Sequence, residues 1–239
     1  MLKLNDDKIE FLLILSRYRA PPLTVGTDLI CPSKFVKNLG VFFDTTMEFH
    51  KQVNSVTSSC FQQLKDLSRI RRFVTEDAAK TMVHAFISSR LDYRNSLLYR
   101  LPDYLLEKLQ YVQNSAARLV TYTPISNHIS PVRKDLHWLP VKSRIEFKIL
   151  LLTYKTLHGL APTYLRELLK EKPVTGLRSD KLNLLLPPKT KQITYGDRSF
   201  SKAAADLWNA LPLYLRQAPN LDSFKKGLKT YLFKLAFGI

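Results

Sequence analysis

Two spacings of hydrophobic residues divide the chain. Up to residue 45 the pattern is that of strands and turns. IEFLLIL (9–15) is a run of β-formers that needs cover on both faces. FVKNLGVFFD (35–44) is a second run with Gly40 inside it, a place for a bulge or a close backbone approach. Between them YRAPPLTVGTDLICPS is punctuated by Pro21, Pro22, Gly26 and Pro32, which predicts turns and a hairpin. Two or three strands cannot cover their own sheet, so residues 1–45 need a neighbour.

From Thr45 the period becomes helical. Thr45 with Glu48 three residues on forms a capping-box pattern. Val53, Val56, Cys60, Leu64 and Leu67 then recur every three or four residues, and the segment ends in Arg69, Arg71 and Arg72. Thr75, followed by Glu76 and Asp77, predicts the next start, with acids at the positive end of the helix dipole. Its stripe is Ala79, Met82, Val83, Phe86 and Ile87. Pro102 fits the first turn of a third helix with Leu105, Leu106, Leu109, Val112, Ala116 and Leu119 on one side. These three helices predict a bundle over 46–124. The proline-marked stretch from Thr123 to Pro131 is the expected boundary to a second helical domain, 125–239. There VKSRIEFKILLLTYKTLHG is apolar nearly all round, which marks it as the domain's buried centre, and Gly159 is placed to close it in the left-handed region. PTYLRELLKE, SFSKAAADLWNALP and DSFKKGLKTYLFKL read as further helices. The last carries Phe224, Leu228, Tyr231, Leu232 and Leu235 on one face, and residues 172–198 read as a loop with a strand or two. The fold expected is therefore mainly α: a small β fragment, a helical bundle, then a second helical domain.

Charge changes the picture most. Thirty-seven Lys and Arg against 20 Asp and Glu leave a net +17. A surplus of that size favours a polyanionic partner, because neutralising phosphates releases condensed counterions. Basic residues interleave with aromatics in two places. Lys65, Arg69, Arg71 and Arg72 precede Phe73, and Lys181, Lys189, Lys191 and Arg198 surround Tyr195 and Phe200. Dispersed cations suit backbone phosphates, and aromatic faces suit unpaired bases. For any one of these residues, a solvated charge over a core aromatic is the simpler account. An anionic membrane surface is the weaker partner, since no helix sets a strongly basic face opposite a Trp/Phe face, and the longest apolar run, FLLIL at 11–15, is far short of the ~18 residues a spanning helix needs. The first ten residues carry Asp6, Asp7 and Glu10 and lack the apolar stretch of a signal peptide, so an intracellular place, nuclear or cytoplasmic, is expected.

Enzymatic patterns are sparse. The five histidines (50, 84, 128, 137, 158) stand singly, with no HExxH and no Cys/His pairing at zinc-ligand spacing. G-x-S-x-G, Walker A and G-x-G-x-x-G are absent. Asp6-Asp7 reads as a solvated loop, and no hairpin offers the two or three carboxylates with which polymerases hold two metals. Asp135 and His137 in SPVRKDLHWLP are two residues apart and so do not share a helix face. That stretch reads as a hinge into the helix after Pro140.

Seven blocks occur in order: MLKLNDDKIEFLLI, VKNLGVFFD, SSRLDYRNSLLYRLP, LQYVQNSAARLV, LHWLPVKSRIEFKILLLTYKTLHGLAPTYL, YGDRSFSKAAADLWNALP and SFKKGLKTYLF. Together they resemble the carboxy-terminal part of the reverse transcriptase of non-LTR (LINE-type) retrotransposons of the jockey and chicken-repeat kind, over essentially the whole chain. The resemblance implies that residues 1–45 are the end of a polymerase palm following its catalytic hairpin. It further implies that Lys37-Asn38-Leu39-Gly40 is the primer-grip strand, with Lys37 and Gly40 positioning the primer. The next helices would be the thumb and the remainder the C-terminal helical region. Family members usually carry Cys in a D-Y-C-N motif where this chain has Arg94. The fingers, the catalytic aspartates and any endonuclease domain are not matched, so a truncated copy is expected. It would bind an RNA/DNA template–primer duplex and have no cofactor of its own, Mg²⁺ belonging to the intact polymerase. The competing expectation is a stand-alone basic helical interaction protein without nucleic-acid specificity.

Overall fold

The computed structural model describes residues 9–14, 21–26, 28–173, 183–190 and 193–239. The protein is mainly helical, with two small antiparallel strand pairs in its N-terminal region. It divides into two compact units, Met1–Ser59 and Cys60–Ile239.

In the first unit β1 (Leu23–Val25) pairs with β2 (Asp28–Ile30), the hairpin that the proline and glycine punctuation predicts. The run FVKNLGVFFD is not one strand. β3 (Phe35–Asn38) and β4 (Val41–Asp44) form a hairpin of their own, with Asn38 opposite Val41 and only Leu39-Gly40 between them. Both loop residues have positive φ (47° and 84°), as the tightest hairpin turns demand, and that requirement is why Gly sits at position 40. Over 9–14, IEFLLI forms no strand, and its one ladder contact is a bridge from Phe11 to Pro32. Pro32 has no N–H with which to extend the ladder. The remainder of that run, Asp6-Asp7 and the start of the Pro21-Pro22 segment lie outside the described residues.

Helix α1 (His50–Ile70) starts later than the capping-box pattern predicts. Just ahead of it the chain is held by Asp44, not by Thr45. The Asp44 carboxylate accepts from Glu48 N (2.9 Å), Phe49 N (2.7 Å) and the Thr46 hydroxyl (3.0 Å) and is itself buried. Met47 and Phe49 adopt positive φ, so the helix cannot begin before them. Phe49 and Val53 are buried, the Phe43 ring meets Phe49 edge-on at 5.6 Å, and the Gln52 side chain accepts from Phe42 N.

The second unit opens with the rest of α1, where Cys60, Leu64 and Leu67 are buried as their spacing predicts. A 3-10 turn (Arg71–Phe73) leads to Thr75, whose hydroxyl accepts from Ala78 N and caps α2 (Glu76–Val83) as expected. α2 runs through a π-helical segment (His84–Ser88) into α3 (Ser89–Asp92). This wider turn steps the buried stripe by fours, from Ala79 to Val83, Ile87 and Leu91, and leaves Phe86 exposed. A second 3-10 turn (Asn95–Leu98) precedes α4 (Asp103–Thr121), which packs against α2.

The predicted boundary near residue 124 lies inside this unit. α5 (Ile129–Asp135) and α6 (Val141–Leu157) both pack on α4. The Gln113 amide donates to Leu139 O (2.8 Å), and Gln110 Oε1 accepts from Val141 N (2.9 Å). Two glutamines on α4 thus hold the corner at SPVRKDLHWLP. At that corner His137 has φ 54° and its N–H reaches Lys134 O, while Trp138 N reaches Arg133 O. These two bonds are those of a helix C-terminus closed by a left-handed residue. Trp138 and Leu139 are buried and His137 is exposed, so the stretch is a structural corner.

α6 is the centre that its all-round apolarity predicts, touching α4, α7 (Thr163–Glu167), α9 (Phe200–Ala210) and α11 (Leu221–Phe237). It closes at Gly159 (φ 68°), with Leu160 N donating to Lys155 O. Tyr154 stacks on Phe224 at 4.3 Å and donates its hydroxyl to Ala218 O, beside Trp208. Phe224, Leu228 and Leu232 of α11 are buried, but Leu235 is exposed. Residues 183–190 are fastened to α9 by Asn209, whose side chain both accepts from Leu185 N and donates to Leu185 O. α8 (Ile193–Gly196) and α10 (Leu213–Arg216) are single turns.

Candidate nucleic-acid interface

In the first unit the predicted primer-grip residues sit on the β3–β4 hairpin. Lys37 and Gly40 are exposed, Gly40 at the hairpin tip beside Leu39, which is 71% exposed. Lys37 lies directly opposite Phe42, with its ammonium 5.3 Å from the ring centre. The sequence pattern did not single out Lys51. Its ammonium lies over both Phe35 (4.5 Å) and Phe42 (4.7 Å), so two lysines and two aromatic rings share one face. The signal was there in part: Phe35 and Lys37 alternate on one side of β3.

In the second unit Lys65, Arg69 and Arg72 follow one another at four and three residues and all are exposed. Arg69 holds Asp66 loosely, 3.4 Å between side chains that are both well exposed, a pair of little energetic weight. The Arg72 guanidinium lies 4.6 Å over the ring of Phe73, itself 72% exposed. Cations and an uncovered aromatic ring thus stand together at the end of α1.

Arg71 does not belong with them. It is 7% exposed, and its Nε, Nη1 and Nη2 donate to the carbonyls of Leu119 (3.0 Å), Val74 (2.9 Å) and Val120 (2.7 Å). The first and last of these belong to the final turn of α4, which has carbonyls without intrahelical donors. The guanidinium also lies 4.2 Å over Tyr122, whose hydroxyl donates back to Arg71 O. Arg71 is the cap of α4 and is not available to a phosphate.

Arg198 is engaged in the same way. It is half-buried, and its guanidinium donates to the carbonyls of Tyr99 and Leu97. Lys189 is exposed, and Lys191 lies outside the described residues. Arg94, the departure from the D-Y-C-N pattern, is half-buried at φ 52° with its guanidinium 4.9 Å over Tyr93. Its charge is therefore placed against a ring and not in the core.

Among the described residues no group of three or more His, Cys, Asp or Glu is placed to hold a metal ion, and no helix is long and apolar enough to cross a membrane. No protein-family model, curated protein or solved structure matches this chain. What the arrangement can do chemically is bind: exposed cations offer partners to phosphate oxygens, and exposed rings offer faces to bases.

Proposed function

We propose that this chain is the end of the palm, the thumb and the C-terminal helical region of a non-LTR retrotransposon reverse transcriptase, and that it holds an RNA–DNA template–primer duplex by its backbone. The seven ordered sequence blocks support the family, and the row Lys65, Arg69 and Arg72 beside Phe73 carries the binding. An intracellular place, nuclear or cytoplasmic, goes with this reading. Nucleotide addition needs carboxylates that clamp metal ions. The described residues do not fit such a site, so no catalytic step is assigned to them.

Titrating salt against the affinity of the full chain for a short RNA–DNA hybrid tests the reading. Affinity should fall steeply between about 50 and about 200 mM salt, as phosphate neutralisation requires. K65E/R69E/R72E should bind more weakly, with a salt slope shallower by about 3, one for each phosphate that is no longer neutralised. A flat dependence in the native chain, or an unchanged slope in the variant, overturns it.

The engagement of Arg71 and Arg198 by backbone carbonyls favours a second reading, a basic helical interaction protein whose charge is partly structural. That reading requires the flat outcome.

A further inference from the structure

A pocket of about 250 Å³ that shares no residue with the Lys65, Arg69 and Arg72 row lies between α6, α11 and the turn that follows α3. One side is apolar, formed by Leu139, Phe147 and Leu151. The other is polar and rigid. Arg144 grips Asp92 with two donors, Nε to Oδ1 at 2.8 Å and Nη2 to Oδ2, and the Asn95 amide nitrogen also reaches Oδ1. That bond fixes which way the Asn95 amide points, and it leaves Asn95 Oδ1, a buried acceptor, without a donor. Lys148 of α6 and Lys229 of α11 complete the lining; both are exposed, and neither is ion-paired among the described residues. Three cations thus surround one carboxylate, and that carboxylate is already held by Arg144. The surplus is felt nearby. The His84 imidazole is held below its usual range by burial first, then by Arg144, with Lys229 adding to the effect and Asp92 opposing it.

Each feature removes a class of ligand. Two lysines with no partner suit a doubly charged group such as a phosphate monoester better than a single carboxylate. The apolar wall gives nothing to inorganic phosphate alone. We propose that this pocket binds a nucleoside monophosphate unit, its phosphate on Lys148 and Lys229 and its base against Phe147 and Leu151. The unit can be a free nucleotide or the phosphorylated end of a strand. The proposal stands apart from the duplex-holding reading, since it uses none of Lys65, Arg69 or Arg72.

Calorimetric titration of the full chain with adenosine 5′-monophosphate tests it, with adenosine, inorganic phosphate and a 5′-phosphorylated single-stranded oligonucleotide as parallel probes. Saturable binding of the monophosphate is expected, with adenosine and inorganic phosphate each at least tenfold weaker. K148E/K229E should weaken the monophosphate at least tenfold, and K148R/K229R should retain it, which separates loss of charge from loss of fold. Tighter binding of the oligonucleotide assigns the strand end, and the reverse order assigns the free nucleotide. K148E/K229E should keep its hybrid affinity, and K65E/R69E/R72E should keep its monophosphate affinity, so that either idea can fail alone. No saturable monophosphate binding, equal affinity in K148E/K229E, or inorganic phosphate binding as well as the monophosphate would overturn the assignment.

Discussion

Replacing Arg71 by Ala removes the donors that now reach Val74, Leu119 and Val120, and leaves buried carbonyls at the end of α4 with nothing to accept from. A buried polar group stripped of its partner costs the full desolvation penalty, so R71A is expected to lose about 3 kcal/mol of stability in urea unfolding. Arg72, the next residue, is exposed over Phe73, and R72A should change stability by no more than about 0.5 kcal/mol while weakening hybrid binding. An equal stability loss in both variants would contradict the assignment of Arg71 as a cap. The two arginines look alike in sequence because a charge pattern records where cations fall, not which carbonyls remain open elsewhere. The carbonyls that recruit Arg71 lie 48 and 49 positions away. Arg198 was hidden for the same reason, its acceptors lying about a hundred positions upstream. Lys65 and Arg69, by contrast, are exposed.

Caps divide in the same manner at the level of elements. Thr75 was readable because its acceptor geometry and the acids after it are all within one turn. The start of α1 was not, since two residues with positive φ, Met47 and Phe49, interrupt the chain between the polar signal and the helix. Asp44 spans that interruption with bonds to Glu48 N and Phe49 N. D44A strips those two N–H groups of their acceptor and is therefore expected to cost about 2 kcal/mol in urea unfolding, while T45A stays within about 0.5 kcal/mol. The reverse order would restore the capping box. Long periodic helices such as α4, α6 and α11 were legible because their buried faces repeat over several turns. The short α5 and α10 have too few turns for a period to emerge, and α5 contains Pro131 besides. A π-helical turn leaves no composition signal at all; only the four-residue steps from Ala79 to Leu91 betray it.

For the whole molecule, the question is whether residues 60–239 unfold as one body or as a bundle and a separate C-terminal domain. Bonds cross the expected boundary at several points: Gln113 to Leu139, Gln110 to Val141, Arg144 to Asp92 and Arg198 to Tyr99. Two natural probes lie on opposite sides of it. Both tryptophans, Trp138 and Trp208, are beyond residue 125 and buried, whereas Cys60 is buried in the part before it. Burial pushes the Cys60 thiol up to about 11, with Arg90 opposing the shift. At pH 8 the native thiol is therefore both covered and protonated, and thiol reagents act on the thiolate. Cys31 is exposed and would react first, so the experiment uses C31S. Brief pulses of a thiol reagent along a urea titration, compared with tryptophan fluorescence in the same samples, report each half by its own probe. One cooperative unit requires the two curves to coincide at a single midpoint. Fluorescence changing well before or after Cys60 becomes reactive would mean that the crossing bonds are too weak to couple the halves, and that the boundary near 124 separates two domains after all.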